Sequence, residues 1–166
     1  MRAGFDLDEF ERADRDPGFA EALWASSDRY HATLASCPLP TIAAVNGPAI
    51  AGGFDLAVLC DLRVASTAAR FAHPERAFGE VVYGPLCDLV GGALARELTM
   101  GGREISAEEA LGMHLVASVV EPADLPGEVA AVVARVCVAP REVLVRLKAK
   151  ALRRAGIGPG GASLDR

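Results

Sequence analysis

The chain has 166 residues, of which 51% are apolar, and its 17 Lys and Arg against 22 Asp and Glu give a net charge of −5. This length predicts one domain with a substantial core, and the acidic balance argues against a nucleic-acid binder, which would carry a basic face. No apolar run reaches the roughly 18 residues of a membrane span, and acidic residues stand near the N-terminus where a signal peptide would be apolar. We therefore expect a soluble, cytoplasmic protein that binds neither nucleic acid nor membranes.

The first half of the chain predicts a helix, a buried strand and a second helix. Residues 3–7 read as a turn before a short acidic stretch. Apolar residues at helical spacing predict a helix over residues 19–37, and the prolines that follow it end that helix. A run of Ala and β-branched residues predicts a buried strand over 41–45. Asn, Gly and Pro then predict a turn over 46–48, and a helix follows over residues 51–59.

The second half alternates between short strands and helices in the same way. The first predicted elements are strands over residues 62–65 and 70–72, a loop over 76–85, and a helix over 86–100 that is closed by Gly101 and Gly102. A capping box at Ser106 then begins a short helix that ends at about Gly112. A strand over 117–120 and helices over 123–139 and 141–155 complete the prediction. This alternation predicts an α/β fold. We place a core region over residues 1–121 and a C-terminal helical region with a mobile tail over residues 122–166.

The cysteines and histidines form no recognisable metal-binding or redox motif. No two of the four cysteines form a CxxC pair, and no histidine stands at zinc-ligand spacing from them. We therefore predict reduced thiols in apolar settings and no metal site. His31 and His114 lie on or after helices, where a structural or solvated role is expected rather than a catalytic one.

The segment over residues 40–61, PTIAAVNGPAIAGGFDLAVLCD, carries the clearest chemical signal. It predicts a strand, a glycine turn, and a helix with one carboxylate in its first turn. The first N–H groups of a helix have no partner within the helix and attract negative charge, so this turn could stabilise an oxyanion. The alternative is a plain glycine turn between a strand and a helix.

Several motifs in this order resemble the enoyl-CoA hydratase/isomerase (crotonase) superfamily. They are AGFDL at residues 3–7, VNGPAIAGGFDL at 45–56, CDLRVA at 60–65, RFAHPE at 70–75, GGREISAEEA at 101–110, and Leu115-Val116. The resemblance implies a crotonase-like ββα superhelix followed by C-terminal helices. It also implies an acyl-CoA thioester substrate in fatty acid metabolism, with coenzyme A as part of the substrate and no separate cofactor. A dinucleotide-binding unit is not supported, because no G-x-G-x-x-G follows a strand.

The resemblance also implies the site residues. The backbone amides of Phe5 and Gly52 would form the oxyanion hole. Glycine lets a substrate approach the backbone closely. The substrate-binding residues would be Ala3, Gly4, Asp6, Gly53 and Tyr83. Tyr83 and Glu80, in the loop after Glu75, would face the acyl group or lie on the surface.

Asp55 and Glu75 stand where hydratases of this superfamily carry two glutamates, with the same spacing of 20 residues. In a hydratase, one carboxylate activates water and the other delivers a proton, whereas isomerases shuttle a proton with the acid at the Glu75 position. Asp is one methylene shorter than Glu, so enolate chemistry at Glu75 is better supported than hydration. The alternatives are a solvated loop acid at Glu75 and a carboxylate that complements the helix dipole at Asp55.

Members of the superfamily usually carry several strands before the AGxDL motif, which here begins at residue 3. We therefore expect a truncated version, and a weakly active or non-catalytic remnant that self-associates is the alternative function. The resemblance further implies a homo-oligomer, either a trimer or a hexamer. Basic residues of the last helix would contribute to CoA or trimer contacts, or would lie on a solvated face: Arg146, Lys148, Lys150, Arg153 and Arg154.

Overall fold

The computed structural model describes residues 7–77 and 81–157. Its first half contains α1 (Leu7–Arg15), α2 (Pro17–Ala35), β1 (Ile42–Val45), β2 (Pro48–Ile50), α3 (Gly52–Leu59), β3 (Leu62–Ser66) and β4 (Arg70–Ala72). A 3₁₀ turn (Pro74–Ala77) is followed by α4 (Gly84–Val90), α5 (Gly92–Arg96), a π turn (Glu97–Gly101), β5 (Ile105–Ser106), α6 (Ala107–Gly112), β6 (Ser118–Val120), α7 (Leu125–Val136) and α8 (Arg141–Ala155). The predicted α/β class is confirmed. Most of the predicted tail lies outside the described residues, and the boundary at residue 121 stays a prediction.

The strands form two small sheets. One has the order β1-β3-β6 and is parallel throughout. The other has the order β2-β4-β5, in which β2 and β4 are parallel and β4 and β5 are antiparallel. The chain passes from the first sheet to the second directly after β1 and again after β3. As a result, the ends of β2 and β4 lie side by side, with Ile50 opposite Ala72.

The prediction of a turn over residues 46–48 is wrong at its last residue, because β2 begins at Pro48. Pro48 occupies the first position of a strand that pairs only with β4 among the described residues. A proline has no N–H to donate to a ladder, and it is tolerated at the start of an edge strand.

Several helices differ from their predicted bounds, among them α7, which spans Leu125–Val136 rather than residues 123–139. Two of the differences have clear local reasons. α2 begins at Pro17, two residues early, because the Asp16 side chain accepts hydrogen bonds from the backbone N–H groups of Gly18 and Phe19, each at 3.1 Å. The single helix predicted over residues 86–100 is two helices and a π turn. Gly91, with φ of 80°, ends α4 before α5 begins.

The two predicted caps of the second half are confirmed. The Ser106 hydroxyl accepts from the Glu109 N–H at 3.1 Å, and the Glu109 carboxylate accepts from the Ser106 N–H at 2.9 Å. Gly102 closes the π turn in the left-handed conformation, with φ of 68°. A Cβ at Gly102 would lie 1.6 Å from Nε of Arg76, so the guanidinium of Arg76 crosses directly over this glycine.

The main core lies between α3, the two sheets and the helices that follow them. Its largest fully buried apolar side chains are Phe54, Phe71, Leu86, Ile105 and Leu115. Alanines fill much of the remaining space. A second, smaller cluster joins Val64 of β3 to Leu125 and Val132 of α7. Phe54 and Phe71 place the start of α3 against β4.

Two buried cations connect distant elements. Arg63 donates to the carbonyl oxygens of Leu115 at 2.6 Å and Cys60 at 2.5 Å, and therefore satisfies the C-terminal end of α3. Lys148 of α8 is buried and donates to the Asp61 carboxylate at 2.8 Å. The expectation that Lys148 contacts CoA, a trimer partner or solvent is wrong, because this ion pair holds α8 against the start of β3.

All four cysteines are free, as predicted, but only Cys60 is buried, and Cys137 is exposed. Burial raises the pKa of the Cys60 thiol, so this thiol stays protonated at neutral pH. Within the described part of the chain, the helices are all too short or too polar to cross a membrane.

Candidate active site

A hydrogen bond between two elements sets the start of α3 beside the end of β4. The Ala51 N–H donates to the Ala72 carbonyl oxygen at 2.9 Å. The Ala51 carbonyl oxygen accepts from the N–H groups of Phe54 at 2.7 Å and Asp55 at 3.0 Å, which starts the helix. Ala51 itself has a backbone φ of 54°, which residues other than glycine rarely adopt. Backbone strain of this kind persists where the surrounding structure enforces it.

The first turn of α3 contains Gly52, Gly53 and Asp55. By helix geometry, the N–H groups of Gly52 and Gly53 have no acceptor within the helix. The Asp55 carboxylate is buried, at 8% exposure. Burial raises the pKa of Asp55 to about 6, and the nearby Glu75 contributes to the rise, whereas His73 and a hydrogen bond from the Val82 N–H oppose it. A carboxyl group of this pKa can exchange a proton near neutral pH.

Glu75 lies on the 3₁₀ turn that follows β4. Its Oε1 is 2.8 Å from Nδ1 of His73. The His73 ring is 1% exposed and stacks on Phe54, with ring centroids 4.5 Å apart and planes at 23°. Nδ1 of His73 is also 3.8 Å from Oδ1 of Asp55. The structure therefore brings Asp55 and Glu75 to the same nitrogen of one imidazole.

A second histidine contributes to this group. Nε2 of His31, on α2, is 3.8 Å from Oδ2 of Asp55. His31 is 7% exposed, so the solvated role weighed for it is wrong and the buried one holds. We call the four residues His31, Asp55, His73 and Glu75 the carboxylate–histidine cluster.

Sequence reasoning missed His73 and the position of His31. His73 stands only two residues before Glu75 in the sequence, and it is the 3₁₀ turn beginning at Pro74 that brings the two side chains together. No comparable proximity in sequence existed for His31, which reaches Asp55 from a helix 24 residues earlier in the chain only through tertiary packing.

Of the remaining predicted site residues, the structure describes Tyr83 but not those near the N-terminus. Tyr83 directly precedes α4 and is half-buried against the main core. Ala3, Gly4, Phe5 and Asp6 lie outside the described residues. Both halves of the predicted oxyanion hole, at Gly52 and at Phe5, therefore stay predictions.

Asp55, His73 and Glu75 each offer a ligand atom within 4.8 Å of the others, so the three could hold a metal ion. The 2.8 Å hydrogen bond between His73 and Glu75 already accounts for their closeness. Proton transfer requires only titratable groups at these positions, and one of them has a strongly raised pKa. The geometry is suited to general acid–base chemistry next to a helix N-terminus.

The chain is similar in sequence to a known protein family. Residues 2–156 match the family model described as enoyl-CoA hydratase/isomerase. The chain is 41% identical over 119 residues to short-chain-enoyl-CoA hydratase of Clostridium acetobutylicum. The aligned region covers 69% of this chain and 45% of that protein. It is also 41% identical over 101 residues to crotonyl-CoA hydratase of Syntrophomonas wolfei, covering 58% of this chain and 39% of that protein.

Solved structures of proteins with related names share the fold of this chain. An enoyl-CoA hydratase/carnithine racemase from Magnetospirillum magneticum superposes with a TM-score of 0.81 at 30% identity, over 96% of this chain and 62% of that one. Enoyl-CoA hydratase from Mycobacterium smegmatis has a TM-score of 0.65 at 34% identity, over 75% of this chain and 58% of that one. The chain spans less than half the length of the two curated relatives. The match over residues 2–156 confirms the resemblance, and the chain belongs to the enoyl-CoA hydratase/isomerase family.

Proposed function

We propose that this chain acts on an acyl-CoA thioester, stabilising an enolate oxyanion with backbone amides and moving a proton with a carboxylate. The observation that carries the proposal is the position of Glu75 and Asp55, which both lie near Nδ1 of one buried imidazole beside the first turn of α3. Relatives named short-chain-enoyl-CoA hydratase and crotonyl-CoA hydratase support a CoA thioester as the substrate. Coenzyme A would enter as part of the substrate, and no separate cofactor is proposed.

The oxyanion would form at the N-terminus of α3. The Gly52 N–H points from the helix end, where the backbone dipoles favour negative charge. Phe5 would supply the second donor, and Ala3, Gly4, Asp6, Gly53 and Tyr83 would shape the substrate site. Such donors stabilise the transition state more strongly as more negative charge develops on the oxygen. The loss of one donor typically lowers kcat by about 10²–10³-fold.

Glu75 would transfer the proton. It is half-buried and its Oε1 is held by His73, and its second oxygen, Oε2, is buried without a hydrogen-bond partner among the described residues. Asp55 is buried more deeply and receives the Val82 N–H. These contacts direct the shorter carboxylate into the cluster. We therefore favour enolate chemistry with one active carboxylate, such as double-bond isomerisation, over hydration, which uses two.

The assembly and location are part of the same proposal. We propose a cytoplasmic trimer or hexamer of the kind the family resemblance implies. Four basic residues of α8 are exposed and free to meet CoA phosphates or a second subunit: Arg146, Lys150, Arg153 and Arg154. Lys148 is excluded from this role by its ion pair with Asp61.

The test is turnover of crotonoyl-CoA and of a 3-enoyl-CoA by the purified chain. Glu75→Gln should abolish proton transfer, lowering kcat by about 10²–10⁴. Glu108→Gln, an exposed glutamate in the first turn of α6, is the matched control and should leave turnover unchanged. If activity survives Glu75→Gln, the role of Glu75 is refuted. If no CoA thioester binds, the alternative of a non-catalytic, self-associating protein is supported.

A further inference from the structure

We infer that His73 is a positioning residue for Glu75: its Nδ1–H fixes Oε1 of the carboxylate and leaves Oε2 as the oxygen that takes and returns the proton. The inference rests on the proposed function, since it assigns a role within that site. It adds a residue to which the sequence analysis assigns no role.

The first step is the rigidity of the imidazole. His73 follows β4 by one residue and is 1% exposed. Its ring stacks on Phe54, and Phe54 packs against Phe71 of β4 with ring centroids 5.4 Å apart. The imidazole is thus held between α3 and β4. Because both neighbours belong to the fully buried core, Nδ1 has little freedom to move.

The second step is the direction of the hydrogen bond. An ionised carboxylate can only accept, so Nδ1 of His73 must carry the hydrogen that lies between it and Oε1 of Glu75. Among the described residues, Nε2 of His73 is buried and has no hydrogen-bond partner. A buried N–H without an acceptor is costly. The favoured tautomer therefore has its hydrogen on Nδ1 and a lone pair on Nε2.

The third step is what the bond does for Glu75. This glutamate stands on a short 3₁₀ turn rather than on a strand, and a free glutamate side chain samples many rotamers. The bond from His73 selects one of them. Within the described part of the chain, Oε2 of Glu75 is buried and has no hydrogen-bond partner, so it is the carboxylate oxygen that His73 leaves uncommitted. Holding a reacting atom in place matters, because a displacement of about 1 Å can cost roughly 100-fold in rate.

The fourth step is the charge around the ring. Glu75 faces Nδ1 from the 3₁₀ turn at 2.8 Å, and Asp55 faces it from α3 at 3.8 Å. His31 of α2 lies on the far side of Asp55, 3.8 Å from Oδ2. The distance to Asp55 exceeds that of a hydrogen bond. Of the two carboxylates, only Glu75 is therefore held by His73, which separates their roles.

The experiment uses two substitutions of matched size. His73→Leu removes the donor and keeps an apolar filler, and should lower kcat by about 10- to 100-fold with little change in KM. His73→Asn places an amide N–H near the position of Nδ1 and should recover most of that loss. Circular dichroism and thermal unfolding establish that both variants are folded. Equal kcat in the wild type and His73→Leu, or equal losses in both variants, would overturn the inference.

A spectroscopic arm keeps this test independent of turnover. ¹⁵N NMR of the histidine rings in the unliganded protein should show His73 with its hydrogen on Nδ1, and Glu75→Gln should shift that resonance while leaving His114 unchanged. An Nε2–H tautomer, or no response to Glu75→Gln, would refute the contact. If the contact is observed but neither CoA thioester is turned over, the positioning of Glu75 stands and the proposed function fails.

Discussion

Replacing Asp55 with asparagine should stabilise the fold at neutral pH, because it removes a carboxylate that is ionised against its surroundings. Burial raises the pKa of Asp55 from 3.8 to about 6. A difference of about 2 units corresponds to about 3 kcal/mol of unfavourable free energy once the group is charged in both states. The N-terminus of α3 favours the charge by about 0.3–1 kcal/mol, which asparagine loses. The expected net gain for Asp55→Asn is about 2 kcal/mol.

The sign of the pH dependence follows from proton binding. Between pH 3.8 and about 6, the folded state holds a proton that the unfolded chain has already released. Stability therefore falls as the pH rises through this window and is constant above it, as far as Asp55 alone is concerned. Below the window both states are protonated and the penalty is absent. Asparagine has no such proton, so the gap between variant and wild type should open across the same window.

The assay is urea unfolding followed by circular dichroism at about pH 4 and about pH 7.5, with the two proteins compared at each pH so that other groups cancel. Asp14→Asn, an exposed carboxylate of α1, is the control and should change the free energy of unfolding by less than about 0.5 kcal/mol. The reasoning is refuted if Asp55→Asn is no more stable than the wild type at the higher pH. It is also refuted if the gap is the same at both pH values.

Two further substitutions test the scaffold around the site. Ala51→Gly should raise the free energy of unfolding by about 1 kcal/mol, because glycine accepts the φ of 54° without strain. The control is Ala131→Gly, at an exposed position inside α7, which should instead lower the free energy of unfolding by about 1 kcal/mol. Lys148→Met should cost about 1–3 kcal/mol in denaturant unfolding, since it leaves Asp61 with only its Thr41 donors. Lys150→Met, exposed on the same helix, should have little effect. A lower stability for Ala51→Gly, or equal effects of the two lysine substitutions, would contradict these assignments.

The features of the fold that could be predicted are those encoded by neighbouring residues. The capping box at Ser106 and the glycine cap at Gly102 each depend on a few adjacent positions, and both are found. Pro48 misled the prediction, because Asn-Gly-Pro is typical of a turn, yet pairing with β4 makes it a strand start. Gly91 breaks a helix whose apolar spacing continues across it, since its φ of 80° lies outside the helical range.

The site was predictable only in part, for a related reason. Asp55 and Glu75 are 20 residues apart, and no local period brings them together, so family resemblance had to supply their pairing. The histidines that complete the cluster depend on tertiary contacts: His31 arrives from α2, and His73 is fixed by Phe54. The ion pair between Lys148 and Asp61 spans 87 residues, and without it Lys148 cannot be told apart from the other basic residues of α8.

Lengthening Asp55 by one methylene tests whether side-chain reach limits hydration. Asp55→Glu should increase hydration of crotonoyl-CoA by about tenfold or more, because a displacement of about 1 Å can account for roughly 100-fold in rate. The Asp55 carboxylate is buried and lies 3.8 Å from a nitrogen of both His31 and His73, so the cluster must move to accommodate a longer side chain. An added methylene in a packed site can still cost about 1–3 kcal/mol of stability. Unfolding must therefore be measured beside turnover.

The matched control is Glu75→Asp, which shortens the other carboxylate by the same methylene. It should lower both isomerisation and hydration, since His73 can hold Oε1 only at the reach of a glutamate. If Asp55→Glu is folded and gains no hydration, reach is not the limit and Asp55 serves the helix terminus or the electrostatics of the cluster. If Glu75→Asp leaves isomerisation intact, proton transfer does not depend on the geometry that His73 imposes. The two substitutions together separate the carboxylate that reacts from the one that tunes its surroundings.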